Sequence, residues 1–203
     1  MTLRFGVIVG QARPYATLVD DWLLVERLGF DNAWLIDHFS PDFAPDAPLL
    51  ESWTALAALA ARTNRIRLGT AVTNAAVRNP AVLCKQAITV DQVSGGRLDM
   101  AIGAGYYERE HRMLGIDYLD ARGRGERLRE AVQVLDRGLR GERVSLDGKS
   151  WRLDGLPMLP GPVQQPRPPL WVAAQQPFSL RTAALHADVL VTMGSEGDSR
   201  EVT

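Results

Sequence analysis

Asp37 and His38 stand at the end of the apolar run Ala33-Trp34-Leu35-Ile36 and are followed at once by Phe39, Ser40 and Pro41. Neither side chain helps a hydrophobic core there. An imidazole exchanges a proton near neutral pH, as few other side chains do, so His38 can be read as a proton-transfer residue. Asp37 would then orient the ring or face a cofactor. The other reading makes Asp37 the cap of a helical turn and His38 a surface loop residue. Position at a strand end favours chemistry, because three further stretches end apolar runs in the same way. Thr73, Asn74 and Arg78 follow residues 66–72. Gly103-Ala104-Gly105-Tyr106-Tyr107-Glu108 closes residues 97–103, and Gln175-Gln176 follows 170–174. The glycines permit close backbone approach to a flat or phosphorylated ligand, although turn geometry accounts for them equally well.

Other reactive residues carry less. His111 lies in the charged stretch Glu108-Arg109-Glu110-His111-Arg112, where solvation or pairing with Glu108 is expected. His186 closes a predicted helix, where the helix dipole favours it. Histidines at 38, 111 and 186 lack metal-ligand spacing, so no metal site is expected. No Gly-x-Ser-x-Gly elbow supports a serine hydrolase. The single cysteine, Cys84, excludes a disulfide framework and reads as a small core residue of a helix.

These residues need elements to position them. Apolar runs at 3–9, 32–36, 66–72, 97–103, 170–174 and 187–193 read as buried parallel strands. Helices between them place Leu18, Trp22, Val25 and Leu28 on one face, then Trp53, Leu56, Ala57 and Ala60, then Val82, Leu83, Ala87 and Val90. Asn79-Pro80 opens the third helix as cap and first-turn proline, and Ser94-Gly95-Gly96 ends it. A polar loop over 105–125 precedes a helix carrying Leu128, Val132, Leu135 and Leu139. Residues 143–155 alternate about Asp147-Gly148 as a hairpin, the simplest role of which is to cover the barrel. A Pro-rich connector fills 156–169. Strand starts near 3, 32, 66 and 97 repeat regularly, and the turn after the first strand is not a Gly-x-Gly-x-x-Gly loop. The pattern is therefore α/β of the (β/α) TIM-barrel type, with about six of eight strands and a small hairpin insertion. Residues 1–193 form one domain and 194–203 a polar tail. In such a barrel the strand ends, Gly10 and Gln11 after the first strand included, lie on one side, so that His38, Asn74 and the 103–108 turn would face one shared mouth.

The totals set outer limits. Lys+Arg 23 against Asp+Glu 24 gives a net charge of -1, which offers no attraction to nucleic acid or an anionic membrane. A hydrophobic content of 46% is that of a globular protein. The apolar run at the N-terminus is short for a signal peptide and no stretch is long enough to span a bilayer, so a cytoplasmic protein is expected.

Taken together, the residues resemble the luciferase-like family of flavin and deazaflavin oxidoreductases. The resemblance runs from residue 3 to about 193 and is most specific at 35–39, 65–116, 124–135 and 165–173. It is nearest the branch that uses coenzyme F420. It implies a (β/α)8 barrel, with hydride transfer between F420 and a small-molecule substrate. It implies that His38 transfers the proton and Asp37 contacts the deazaflavin. Ala71-Val72 falls on a non-proline cis peptide behind the ring, Asn74 on a polar contact, and Gly103, Ala104, Gly105 and Tyr106 on the pocket wall. FMN on the same fold, in a monooxygenase, is the alternative.

Departures from the family pattern matter as well. Tyr106 stands where some members have a catalytic glutamate, and Gln175 and Gln176 stand where a glycine run commonly meets the cofactor phosphate. Six strands do not close an eight-stranded barrel, which leaves backbone donors and acceptors at two edges. A fragment, a smaller rearranged barrel or edges covered by a second copy would each explain this, and a homodimer is expected. A shortened, non-catalytic binding protein is the alternative to an enzyme. The substrate would be set by loops at 39–50, 105–122 and 156–168.

Overall fold

A computed structural model describes residues 3–41 and 46–192; the polar tail and residue 193 lie outside them. The elements run β1 (Gly6–Ile8), α1 (Tyr15–Arg27), β2 (Asn32–Leu35), α2 (Ser52–Ala60), β3 (Arg67–Thr70), β4 (Thr73–Asn74), α3 (Pro80–Ser94) and β5 (Met100–Gly103). They continue with α4 (Glu108–Met113), α5 (Ala121–Gly138), β6 (Val144–Asp147), β7 (Arg152–Leu156), β8 (Leu170–Ala173), α6 (Pro177–His186) and β9 (Val189–Val191).

Strands pair in chain order. β1, β2 and β3 form one parallel sheet, and β4, β5, β8 and β9 a second. A parallel bridge from Leu68 to Leu98 joins the two, and β4 resumes the line of β3 after a cis Ala71-Val72 peptide. Sequential order with helices between strands is barrel topology, whereas a doubly wound sheet reverses its order part-way. The fold is an incomplete (β/α) barrel. Among the described residues β9 pairs only with β8 and β1 only with β2, so a smaller closed barrel is not formed.

Curvature is written in one aromatic contact. Adjacent strands lie about 4.8 Å apart, so β2 and β8, three positions apart in the run, would hold their side chains far apart on a flat sheet. The Trp34 and Trp171 rings instead meet edge to face, with centroids 5.2 Å apart. Gly69 makes room for this: a Cβ there would fall 2.6 Å from the Trp34 ring and 2.4 Å from Asp99 O. Outside the sheet, Leu128, Val132 and Leu135 of α5 and Leu139, its C-cap, are fully buried. Cys84 is buried against Gly138 of α5, which is why burial pushes its thiol up to about 12.

Several expectations need correction. The run 3–9 is an exposed edge strand and not a buried one, because among the described residues β1 pairs with β2 alone; Phe5 and Ile8 face solvent. Leu28 lies past the end of α1, and Val82 lies about 100° round α3 from Leu83, so both are exposed. The supposed loop over 105–125 contains α4 and the start of α5. The hairpin is clamped to α5: the Glu130 carboxylate accepts from the backbone N–H of Lys149 (2.8 Å), Ser150 (3.0 Å) and Trp151 (3.1 Å). Asn79 caps α3, with Pro80 in its first turn, and Gly95 ends it in the left-handed region (φ 66°), as the sequence predicts.

A methyl group at Gly69 has nowhere to go. Gly69→Ala is expected to cost about 1–3 kcal/mol, read as a lower urea midpoint at unchanged slope. Gly10→Ala, where a Cβ meets nothing within 4 Å, should leave the midpoint in place.

Candidate functional site

The C-terminal ends of β1, β2, β3/β4 and β5 are tied together by buried polar groups. Gln11, beyond β1, is fully buried and grips the backbone of Ile36, donating to its carbonyl (2.6 Å) and accepting from its N–H (3.3 Å). Asp37, 3% exposed, is met on every side by donors. The Arg78 guanidinium reaches both of its oxygens (2.7 and 2.9 Å), Asn74 N–H donates at 2.9 Å, and the Ser52 hydroxyl donates to Oδ1. Arg78 also bonds Glu51, the N-cap of α2, and lies over the Phe39 ring at 5.5 Å. Burial alone would lower the guanidinium pKa; Asp37 and Glu51 outweigh it and raise it further. Asp37 therefore locks strand ends together. It does not orient His38.

That task falls to a residue the sequence did not single out. Glu110 of α4, 1% exposed, places Oε2 3.2 Å from His38 Nδ1, while Oε1 accepts from Phe39 N–H (2.6 Å) and Ser40 N–H (3.3 Å). Burial pushes the Glu110 carboxyl up, but these bonds outweigh it and hold it below the usual carboxylate value. The His38 ring is partly exposed and stands edge-on to Tyr106 (5.9 Å) and Tyr107 (6.1 Å). His38 thus meets the turn after β5. Glu108, the acid weighed from the sequence, is exposed instead. Recognising 108–113 as a helix would have shown that Glu108 and Glu110 point about 200° apart, though not which one turns inward.

The glycines are used by the protein itself. A Cβ on Gly103 would strike Val72 at 2.7 Å, and one on Gly105, at φ 76°, would strike Asn74 Oδ1 at 2.3 Å. Asn74 Oδ1 accepts from Ala76 N–H (2.9 Å). Ala71, Val72 and Ala104 are half-buried. Small, partly exposed apolar groups beside an imidazole and tyrosines suit a flat heteroaromatic ring. The turn after β8 suits a phosphate less well. Ala174 N–H is bonded to Val191 O (3.1 Å) and Gln176 N–H to Ser179 Oγ (3.3 Å), while Pro177 has no N–H to give. Gln175 and Gln176 are exposed.

The other histidines lie elsewhere. His111 is not solvated, nor paired with Glu108: it is buried at 1%, with Nδ1 3.0 Å from Tyr107 O and its ring against Tyr118. His186, in the last turn of α6, faces Asp136 Oδ2 at 3.1 Å.

Against this geometry, comparison with protein families matches residues 2–202 to the luciferase-like monooxygenases. The chain belongs to that family. It is 33% identical to the oxygenase component of a flavin-dependent trigonelline monooxygenase from Acinetobacter baylyi, over 83% of this chain and 46% of that protein. It is 34% identical to an F420-dependent glucose-6-phosphate dehydrogenase from Intrasporangium calvum, over 89% of this chain and 54% of that one. Among solved structures it superposes on an F420-dependent secondary alcohol dehydrogenase bound to an F420–acetone adduct. The TM-score is 0.84 at 26% identity, over 95% of this chain and 58% of that one. The chain spans about half the length of the curated relatives it matches. Among the described residues no helix is long and apolar enough to cross a membrane.

Two outcomes test this network. Arg78→Met strands a buried carboxylate and should cost about 3–5 kcal/mol in urea unfolding, with Asp37→Asn added to it recovering part of the loss. Glu110 titrates lower folded than unfolded, so the folded state binds fewer protons. Its contribution is full above the unfolded value of 4.5 and is lost as pH falls through the folded value. The urea midpoint should drop from about pH 6 to about pH 3, and drop less in Glu110→Gln.

Proposed function

We propose that the chain carries the cofactor-binding and proton-exchanging part of an oxidoreductase that moves a hydride between coenzyme F420 and a small organic substrate. The meeting of His38 with the Gly103–Tyr107 turn at the C-terminal end of the sheet is the observation that carries this reading. Ala71, Val72, Asn74 and Ala104 would line the ring, with Tyr106, Gln175 and Gln176 at its rim. Gly103 and Gly105 would shape its floor, and Asp37 would fix the frame behind it. When bound, the deazaflavin supplies or takes up the hydride. His38 gives a proton as an electron-poor carbon or imine is reduced, and takes one as an alcohol is oxidised. The small side chains around it hold ring and substrate close and keep water out.

A second reading keeps the site and exchanges the ring: FMN in a monooxygenase, which the similarity to the trigonelline enzyme favours. We further read the protein as a cytoplasmic homodimer, a state supported by exposed Phe5 and Ile8 at one edge and Leu185 and Leu190 at the other.

Titrating the purified chain with F420 and with FMN, followed by cofactor fluorescence, separates the readings. F420 binding is expected; binding of FMN alone overturns the first, and binding of neither leaves a binding protein without redox chemistry. His38→Gln should retain the cofactor and lose about 10²–10⁴-fold in turnover. Sedimentation velocity should give twice the chain mass.

A further inference from the structure

We propose that Glu110 is the positioning residue of the site: it fixes the proton of His38 on Nδ1 and so makes Nε2 the nitrogen that gives and takes protons. An ionised carboxylate only accepts hydrogen bonds. Both Glu110 oxygens already face hydrogen-bond donors or the imidazole, Oε1 toward two backbone N–H groups and Oε2 toward Nδ1. Nδ1 must therefore be the donor in that pair. A neutral imidazole in water favours the opposite tautomer, with its hydrogen on Nε2, so the carboxylate selects the less common form.

The same side chain sets where the ring stands. Its bonds to Phe39 and Ser40 anchor the backbone directly after His38 to α4, and α4 follows the turn whose Tyr106 and Tyr107 flank the ring. Of the other charged groups nearby, Asp37 is already paired with Arg78, and Arg78 is paired with Asp37 and Glu51. Among the described residues the rings of Tyr106 and Tyr107 also stand against the imidazole, and neither is a carboxylate. Among the described residues Glu110 is thus the carboxylate that stands against Nδ1. The catalytic meaning of this assignment rests on the reading of His38 as the proton-transfer residue.

Nitrogen-15 NMR of the imidazoles tests it without any cofactor. The His38 signals are identified by their absence in His38→Gln and followed through a pH titration. In the wild type, above the titration midpoint, Nδ1 is expected in the protonated shift range and Nε2 in the unprotonated one. In Glu110→Gln the amide oxygen keeps the Phe39 and Ser40 bonds and turns its NH2 toward Nδ1, which must then accept. The two signals should exchange character, and the midpoint should fall as the carboxylate is lost. A wild-type Nε2–H tautomer, or an unchanged pattern in Glu110→Gln, overturns the proposal; the wild-type spectrum decides even if the variant does not fold. If the pattern is as expected while His38→Gln leaves turnover intact, the positioning stands and the proton-transfer reading falls.

Discussion

A carboxylate removed from water has to be met by donors, and Asp37 is buried where the ends of β2 and β3/β4 meet the start of α2. Its four donors come from the start of α2, from β4 and from Arg78, which lies between β4 and α3. Satisfying that one group fixes the distances between the ends of β2, β3/β4 and α2. The His38 backbone follows directly from it. The site is precise because its frame is a satisfied buried ion pair, which is costly to break from either side.

Curvature is the second constraint. Trp34 and Trp171 fill the concave side of the sheet, and the missing side chain at Gly69 lets the indole lie across β3. Curling brings β5 and its turn round toward β2, so that Tyr106 and Tyr107 reach His38 from far along the chain. Polar locking at the mouth and aromatic filling below it do separate work: one sets orientation, the other sets which ends can meet.

Much of the fold was legible because its signals are local. Asn79-Pro80 and Gly95 bound α3 by capping chemistry that needs no tertiary partner, and the stripe from Leu128 to Leu139 declared the buried face of α5. Six strands stood out as apolar runs. What misled was context. The run 3–9 is as apolar as the others, yet among the described residues nothing pairs with its outer side, and hydrophobicity alone does not say how many neighbours a strand will have. The charges around His111 hid a short helix that buries that histidine together with Glu110.

The site divides along the same line. From the sequence by itself came the family, the barrel order, and the fact that Asp37, His38, Asn74 and the Gly103–Tyr106 turn lie at strand ends, since topology dictates which end of a parallel strand faces the mouth. The cis Ala71-Val72 peptide implied by the family resemblance is present. Only the tertiary structure decided the partners: Asp37 to Arg78, His38 to Glu110, Gly105 against Asn74. Those pairings depend on angles between elements tens of residues apart, and a hydrogen bond within about 3 Å is decided by side-chain direction, which periodicity along one element does not encode.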